Sequence, residues 1–527
     1  MTIGNLNFVE TATGTVPLND VAIRLHPLDD VAIAKIALQV GTTLLFQENG
    51  VPMRVTLRQF VPSGHKVALR SIAIDATIRR YGQVIGFASK DILPGEHVHL
   101  QNVAVRDFDR DYAIGTDVQP VQYVPEPERR TFMGYKRSDG RVGTRNYIGI
   151  ISTVNCSGHT SREIAHYFTP ERLAAYPNVD GVIPFAHQFG CASGVTGLDY
   201  LYLQRVLAGM AHHPNVAAYI IVGLGCESNQ PSDLIENYDL IGDEPPTLTI
   251  QGYGGIRKTI EAGIAAIEKL LPIANECQRT PQPISNLTVA LQCGGSDGWS
   301  GVTANPMLGM VADEIVRQGG TVVLAETPEI YGAEPMLTRR AVNPAVAQKL
   351  IEKVHWWERH AERVGGEINN NPSAGNKAGG LTTIYEKSLG AAAKGGTTPL
   401  TGVYDYAEPV TARGFTFMDS PGYDPISVTG QVAGGCNMVL FTTGRGSTFG
   451  FKPAPSIKIV TNTATYDHMI DDMDVDAGKI LSGVDMTEVA AELLDLTIQV
   501  ASGQPSKSEA QGVGESEFNP WCLGGIF

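Results

Sequence analysis

The chain holds twelve histidines and seven cysteines in 527 residues, and several of them gather in short polar turns. RLHPLDDVAIAK places His26 and Asp29 beside a strand-like run, and PSGHKVAL places His65 and Lys66 on a glycine turn. GEHVHL puts His97 and His99 two residues apart, on the same face of a strand. Four histidines and an acid in one short segment resemble divalent-metal ligands. The same residues also fit surface or capping positions.

VNCSGH, FGCASG, GLGCES and LQCGGSDG place Cys156, Cys191, Cys226 and Cys293 in similar surroundings. Each follows an apolar run of buried-strand type. If those runs are parallel strands, the cysteines lie at carboxyl ends, the edge where open α/β sheets bind ligands. Each thiol alone reads as a small buried hydrophobe. As a set they read as thiolate ligands of a metal or iron–sulfur cluster, or as holding a reactive nucleophile. No C-x-x-C pair is present.

QCGGSDGWSGVTANP is rich in groups that hold hydroxylated ligands: Gln292, Ser296, Asp297, Ser300, Thr303 and Asn305. Its glycines let backbone approach a ligand closely. NPSAGNKAGG adds Asn376 and Lys377, and TTGRGSTFG adds Thr443 and Arg445. An arginine on a glycine turn suits a carboxylate clamp or a structural ion pair. Neither a Walker motif nor a dinucleotide fingerprint occurs.

These turns need a scaffold. Residues 20–105 read as a small β-rich unit, with β-branched runs separated by PSGHK, RRYGQ and LPGEH. Residues 106–130, with VQPVQYVPEPERR, read as an extended linker. From 131 apolar runs alternate with helical stretches such as IRKTIEAGIAAIEKLLPIANE, which implies βαβ units and a parallel sheet. A second such block starts near LTVALQC. The divisions are 1–105, 106–130, 131–284 and 285–527.

A chain with 43% hydrophobic and 18% charged residues is globular. Its net charge of −15 argues against nucleic acid and anionic membranes as partners. MTIGNLNFVETATG has no cationic or apolar signal region, and no apolar run is long enough for a membrane helix. An odd, scattered cysteine set fits free thiols in a reducing cytoplasm.

SGHKVAL, YGQVIGFA, DGRVGTRN, FGCASG, GLGCESNQ, QCGGSDGWSGVTANPMLG, PSAGNKAGG, EKSLG and FTTGRGSTFGF together resemble the altronate/galactarate dehydratase family, in order, over about residues 20–500. GEHVH and the stretch around NPMLGMVAD resemble its altronate branch. The resemblance implies an α/β protein with an N-terminal SAF (β-clip) domain followed by two α/β domains with largely parallel sheets. It implies a hydro-lyase that removes water from a hexonate or hexarate, D-altronate or galactarate, to give a 2-keto-3-deoxy acid. The implied cofactor is Fe²⁺, Mn²⁺ or Mg²⁺. On that reading His26, Asp29, His65, His97 and His99 form the metal set, and His65, Lys66, His187 and His26 supply acid–base groups. Gln292, Ser296, Asp297, Thr303, Asn305, Asn376, Lys377, Thr443 and Arg445 hold the sugar acid. The alternatives are an iron–sulfur lyase using Cys156, Cys191, Cys226 and Cys293, and a sugar-acid binding protein without turnover. A homodimer is expected.

Overall fold

The apolar runs that read as buried strands pair in parallel in a computed structural model, which describes residues 11–524 except 109, 193 and 241–244. Residues 1–10 of the opening segment discussed above lie outside these. Strands Gly181–Phe185, Tyr147–Ser152, Val216–Gly223 and Thr247–Thr249 form, in that order, a four-stranded parallel sheet. Helices Asn155–Tyr167 and Ile256–Glu276 cover one face and Leu198–Ala211 the other. Tyr147–Ser152 is buried along its whole length, as a strand covered on both faces must be.

A second, seven-stranded parallel sheet has the order Leu400–Tyr404, Gly414–Met418, Thr321–Leu324, Thr288–Cys293, Met438–Thr443, Ser456–Val460, Val475–Asp476. The chain starts in the middle, at Thr288–Cys293, fills one side, then crosses to Met438–Thr443 on the other. Such a reversal opens a crevice between the two carboxyl ends. The smaller sheet reverses in the same way between Tyr147–Ser152 and Val216–Gly223.

The two sheets share a core through Leu198–Ala211 and the helix Asp424–Ala433. Gly209 permits that contact, because a Cβ there would stand 2.2 Å from the Ala433 carbonyl oxygen. A three-stranded antiparallel ribbon, with Thr131–Lys136 between Val142–Gly143 and Arg279–Pro283, ties the chain entering the middle unit to the chain leaving it.

Residues 11–104 fold into four small sheets of two to four strands. This β-rich unit is seated on the C-terminal one. Ile33 packs with Trp299 and Val302, and Val31 and Ile85 share a cluster with Leu389 and Ala392. Among the described residues, the segment after it runs without a strand to Thr131. Arg110 fastens it by an ion pair with the buried Glu334. No helix among the described residues is long and apolar enough to cross a membrane.

Candidate active site

The strand Lys66–Ala68 pairs with His97–Val98, which brings the glycine turn of His65 beside GEHVH. The ring centroids of His65 lie 5.1 Å from His97 and 4.8 Å from His99, and His97 stacks on His99 at 5.3 Å. One ring nitrogen from each lies within 4.8 Å of the others. His65 Nε2–H donates to the Ala378 carbonyl at 3.3 Å, because a carbonyl can only accept. His65 Nδ1 is then the lone-pair nitrogen, 3.0 Å from His97 Nε2. His99 Nδ1 is buried without a partner. Burial, with the neighbouring imidazoles and Lys66, pulls His97 down to about 3 and His99 to about 4, and burial lowers His65 as well. All three rings are neutral at pH 7, the form that ligates a metal.

Lys66 is fully buried and does not face this cluster as a free amine. Its Nζ donates to both Glu386 oxygens at 2.8 and 2.9 Å and to the Gly380 carbonyl at 2.6 Å. Arg80 pairs with the same Glu386 and donates to the Gly298 carbonyl at 2.6 Å. Burial alone would raise the Glu386 carboxyl, but Lys66 and Arg80 outweigh it and hold it at about 2. This buried triad locks the β-rich unit onto the glycine loops.

The lock is tight in backbone as well. A Cβ on Gly298 would stand 2.1 Å from the Gly64 carbonyl oxygen, and one on Gly380 2.3 Å from it. The turn carrying His65 thus interlocks with the loops carrying Asp297 and Lys377. The loop after Met438–Thr443 joins them, since Gly444 and Arg445 amides donate to the Gly295 carbonyl at 3.1 and 2.9 Å. Both Gly295 and Gly444 therefore sit at the crevice of the seven-stranded sheet.

The sequence-predicted binding residues divide into two kinds. Some are spent inside the protein. Asp297 accepts from Thr461 Oγ1 at 2.9 Å and from the Trp299 amide at 3.0 Å. Asn305 bonds Thr442 and the Gly390 carbonyl, Thr303 the Thr461 carbonyl, and Gln292 the side chains of Ser427 and Gln431. Asn376 completes the capping box of Ser373 and donates to the Ser296 carbonyl at 2.7 Å. The others are available to a ligand. Ser296 Oγ and Thr443 Oγ1 are buried without partners. Lys377 is half-buried and Arg445 exposed, and neither forms an ion pair among the described residues.

Two predicted groups stand elsewhere. Exposed His26 accepts from the Leu28 amide at 3.1 Å, and buried Asp29 accepts from the amides of His26 and Gly82 at 3.0 and 2.7 Å. Neither belongs to the imidazole cluster. His187 lies in the middle unit with both ring nitrogens used: Nε2–H donates to the Ser152 carbonyl at 2.9 Å and Nδ1 accepts from the Phe189 amide at 3.1 Å. It fixes a loop.

Cys293 ends its strand buried, apart from the other three cysteines. Lys394 Nζ donates to its sulfur at 2.8 Å and its thiol points at Glu329 Oε2, 3.5 Å away. Burial pushes this thiol up to about 12. Around it stand Glu326, Glu329, Lys387 and Asp424. Lys387 donates to Glu329 at 2.6 Å. Burial raises Glu326 and Asp424, the latter to about 7, and the nearby Glu329 pushes both up further. Ligand atoms of Cys293, Glu326 and Glu329 also lie within 4.8 Å. Lys387 pairs with Glu329 and Lys394 with Cys293, while both Glu326 oxygens are buried without a partner; ammonium groups thus share this cluster, whereas the imidazoles carry no charge of their own. Asp424 is half-buried, and a Cβ on Gly294 would stand 2.4 Å from its Oδ2. Composition and spacing do not single out these groups, although ETPE, with Glu326 and Glu329, follows a strand tip as the cysteines do, and Lys387 lies in EKSLG.

A small β-rich unit clamped over the crevice of a doubly wound sheet brings the imidazoles against the glycine loops. Three family profiles match: "Altronate/galactarate dehydratase SAF domain" over residues 20–106, "D-galactarate dehydratase/Altronate hydrolase, second domain" over 134–275, and "D-galactarate/Altronate dehydratase, C-terminal" over 284–525. The chain belongs to the altronate/galactarate dehydratase family. It is 37% identical over 489 residues to the altronate dehydratase of Escherichia coli (strain K12), covering 92% of this chain and 96% of that one. It is 35% identical over 491 residues to the altronate dehydratase of Bacillus subtilis (strain 168), covering 92% and 95%. With the galactarate dehydratase (L-threo-forming) of Escherichia coli (strain K12) it shares 34% over 492 residues, covering 92% and 93%.

Proposed function

We propose that this protein is a hydro-lyase that removes water from an aldonate, D-altronate before galactarate, and releases a 2-keto-3-deoxy acid. The observation that carries the reading is the interlock of the His65 turn with the Ser296, Lys377 and Arg445 loops at one sheet crevice. The greater identity to two altronate dehydratases supports the choice of substrate.

The imidazoles fit a divalent ion: three neutral nitrogens close together, and a buried Nδ1 with no partner. Imidazole ligation favours Fe²⁺ over Mn²⁺ and Mg²⁺, which suit oxygen ligands. Held by His65, His97 and His99, the ion would supply Lewis-acid stabilisation of the charge that develops on the substrate carboxylate as its C2–H bond breaks. Arg445 and Lys377 provide two cations for that carboxylate. Ser296 Oγ and Thr443 Oγ1 offer hydrogen bonds to sugar hydroxyls. Asp297, Thr303, Asn305, Asn376 and Gln292 hold the loops in place. Lys66, through Glu386, positions His65.

Removing a proton from C2 needs a base near neutrality. We assign it to Asp424, which burial and Glu329 raise to about 7 and which stands over Gly294.

A homodimer and a cytoplasmic setting belong to this reading. Exposed Tyr253, Ile256 and Ile273 offer the middle unit an apolar contact, and all seven cysteines are free. Light scattering of the purified protein tests the dimer.

Semicarbazide detection of 2-keto acid, over a panel of aldonates and aldarates with Fe²⁺ or Mn²⁺ under anaerobic conditions, tests the function. Altronate is expected to give product fastest. Product from galactarate alone would move the assignment within the family. Binding of these acids by folded, metal-loaded protein without product from any would refute it.

A further inference from the structure

Three of the cysteines stand where the smaller sheet would bind a ligand, and the dehydration chemistry above makes no use of them. Cys156 follows the end of strand Tyr147–Ser152, Cys191 that of Gly181–Phe185, and Cys226 that of Val216–Gly223. These strands are neighbours, with the one leading to Cys156 in the middle. Cys156 and Cys226 therefore flank the point where the strand order reverses.

The three loops are built against one another. The Asn155 amide donates to the Phe189 carbonyl at 2.8 Å, and the Ser228 amide to the Cys191 carbonyl at 2.8 Å. Asn229 Nδ2 donates to the Thr153 carbonyl at 2.9 Å. Buried Glu227 accepts from Thr153 Oγ1 at 2.7 Å and from the amides of Leu224 and Gly225 at 3.0 and 2.6 Å. Its carboxylate is consumed in fixing the Cys226 loop to the Cys156 strand. His187 fixes the Cys191 loop to the same strand, through the Ser152 carbonyl.

All three thiols are free and exposed, although cysteine is among the residues most often buried. Cys156 lies in the first turn of Asn155–Tyr167, a thirteen-residue helix. Gln251 donates to Cys226 Sγ at 3.4 Å, an approach that Gly225, at φ +121° and with no side chain, leaves open. Hydrogen bonds to sulfur of this kind tune iron–sulfur centres. The three sulfurs do not all lie within 4.8 Å of one another. A polynuclear cluster holds its thiolates further apart than a single ion does.

We propose that Cys156, Cys191 and Cys226 are the ligands of a [4Fe–4S] cluster at the carboxyl edge of the four-stranded sheet. Three thiolates, each giving up its proton on binding, leave one iron of the cube without a protein ligand and open to an oxygen ligand. Cys293 takes no part. The site stands apart from the histidine cluster, so its failure and that of the dehydratase reading are separate results.

The test uses the full chain, purified anaerobically and reconstituted with Fe²⁺ and sulfide. About four irons and four acid-labile sulfides per chain are expected, with a visible band that dithionite bleaches. Each of Cys156→Ala, Cys191→Ala and Cys226→Ala should lose most of the sulfide, and Cys277→Ala should keep it. Alkylation followed by mass spectrometry needs no variant: the three thiols should be protected until iron is chelated, then react. Metal bound without sulfide, or three thiols that react fully in the reconstituted protein, would overturn the proposal.

Discussion

Replacing Glu386 by glutamine removes the counter-charge of a buried triad without changing its shape. The side chains of Lys66 and Glu386 are 0% exposed and that of Arg80 is 1% exposed. Two cations share one carboxylate, which also accepts from the Thr382 amide and hydroxyl at 2.8 and 2.6 Å. Glutamine leaves both cations buried without a counter-ion and turns amide hydrogens toward one of them. Breaking a buried pair from one side costs about 3–5 kcal/mol. The loss falls on the docking of the β-rich unit, because Lys66 and Arg80 belong to it and Glu386 does not. Urea unfolding followed by tryptophan fluorescence reads this, since Trp299 is buried at that junction. The first transition should lose about 3–5 kcal/mol. The triple variant Lys66→Met, Arg80→Met, Glu386→Leu should recover most of it, because apolar groups of similar volume leave no stranded charge. A loss below about 1 kcal/mol for Glu386→Gln, the range of an exposed pair, would refute this account.

Arg445→Ala and Lys377→Ala should each raise KM for an aldonate by about 10- to 100-fold, the worth of a charged hydrogen bond, and leave the unfolding midpoint unchanged. A shifted midpoint would show a structural role. The rate should rise with pH through about 7, because Asp424 must be ionised to accept a proton, and Asp424→Asn should abolish turnover while still binding substrate. A limb that survives in that variant would move the base elsewhere. Burial depresses His187 to about 4 and His213 to about 3, so the unfolded chain takes up their protons first. Their stabilising effect is full above pH 6.5 and fades as pH falls toward 4, by roughly 3 kcal/mol for His187. A thermal midpoint that stays flat from pH 7 to 5 would contradict this.

The alternation of strands and helices was legible because strands buried on both faces are unbroken apolar runs, Tyr147–Ser152 among them. The cysteines at strand tips were legible for the same reason. Their division between two sheets was legible too, in the second block that starts near LTVALQC, but the order of strands within each sheet was not, because it is set by pairing across distant residues. The ribbon joining Thr131–Lys136 to Arg279–Pro283 gave no local signal. Histidine type and spacing singled out His65, His97 and His99, yet the same reasoning drew in His26 and Asp29, which a turn uses instead. Type alone cannot tell a ligand from a group satisfied by its neighbours: Asp297, Asn305 and Asn376 hold loops, while Ser296 and Thr443 keep unpartnered hydroxyls. The Lys66–Glu386 pair spans 320 residues and had no trace in local pattern.

Crystals grown with Mn²⁺ and a sugar acid, read by anomalous diffraction, address the site itself. The account predicts an anomalous peak bound by His65, His97 and His99, with the acid's carboxylate against Arg445 or Lys377. A peak among Cys293, Glu326 and Glu329, or an acid held at the edge carrying Cys156, would contradict it.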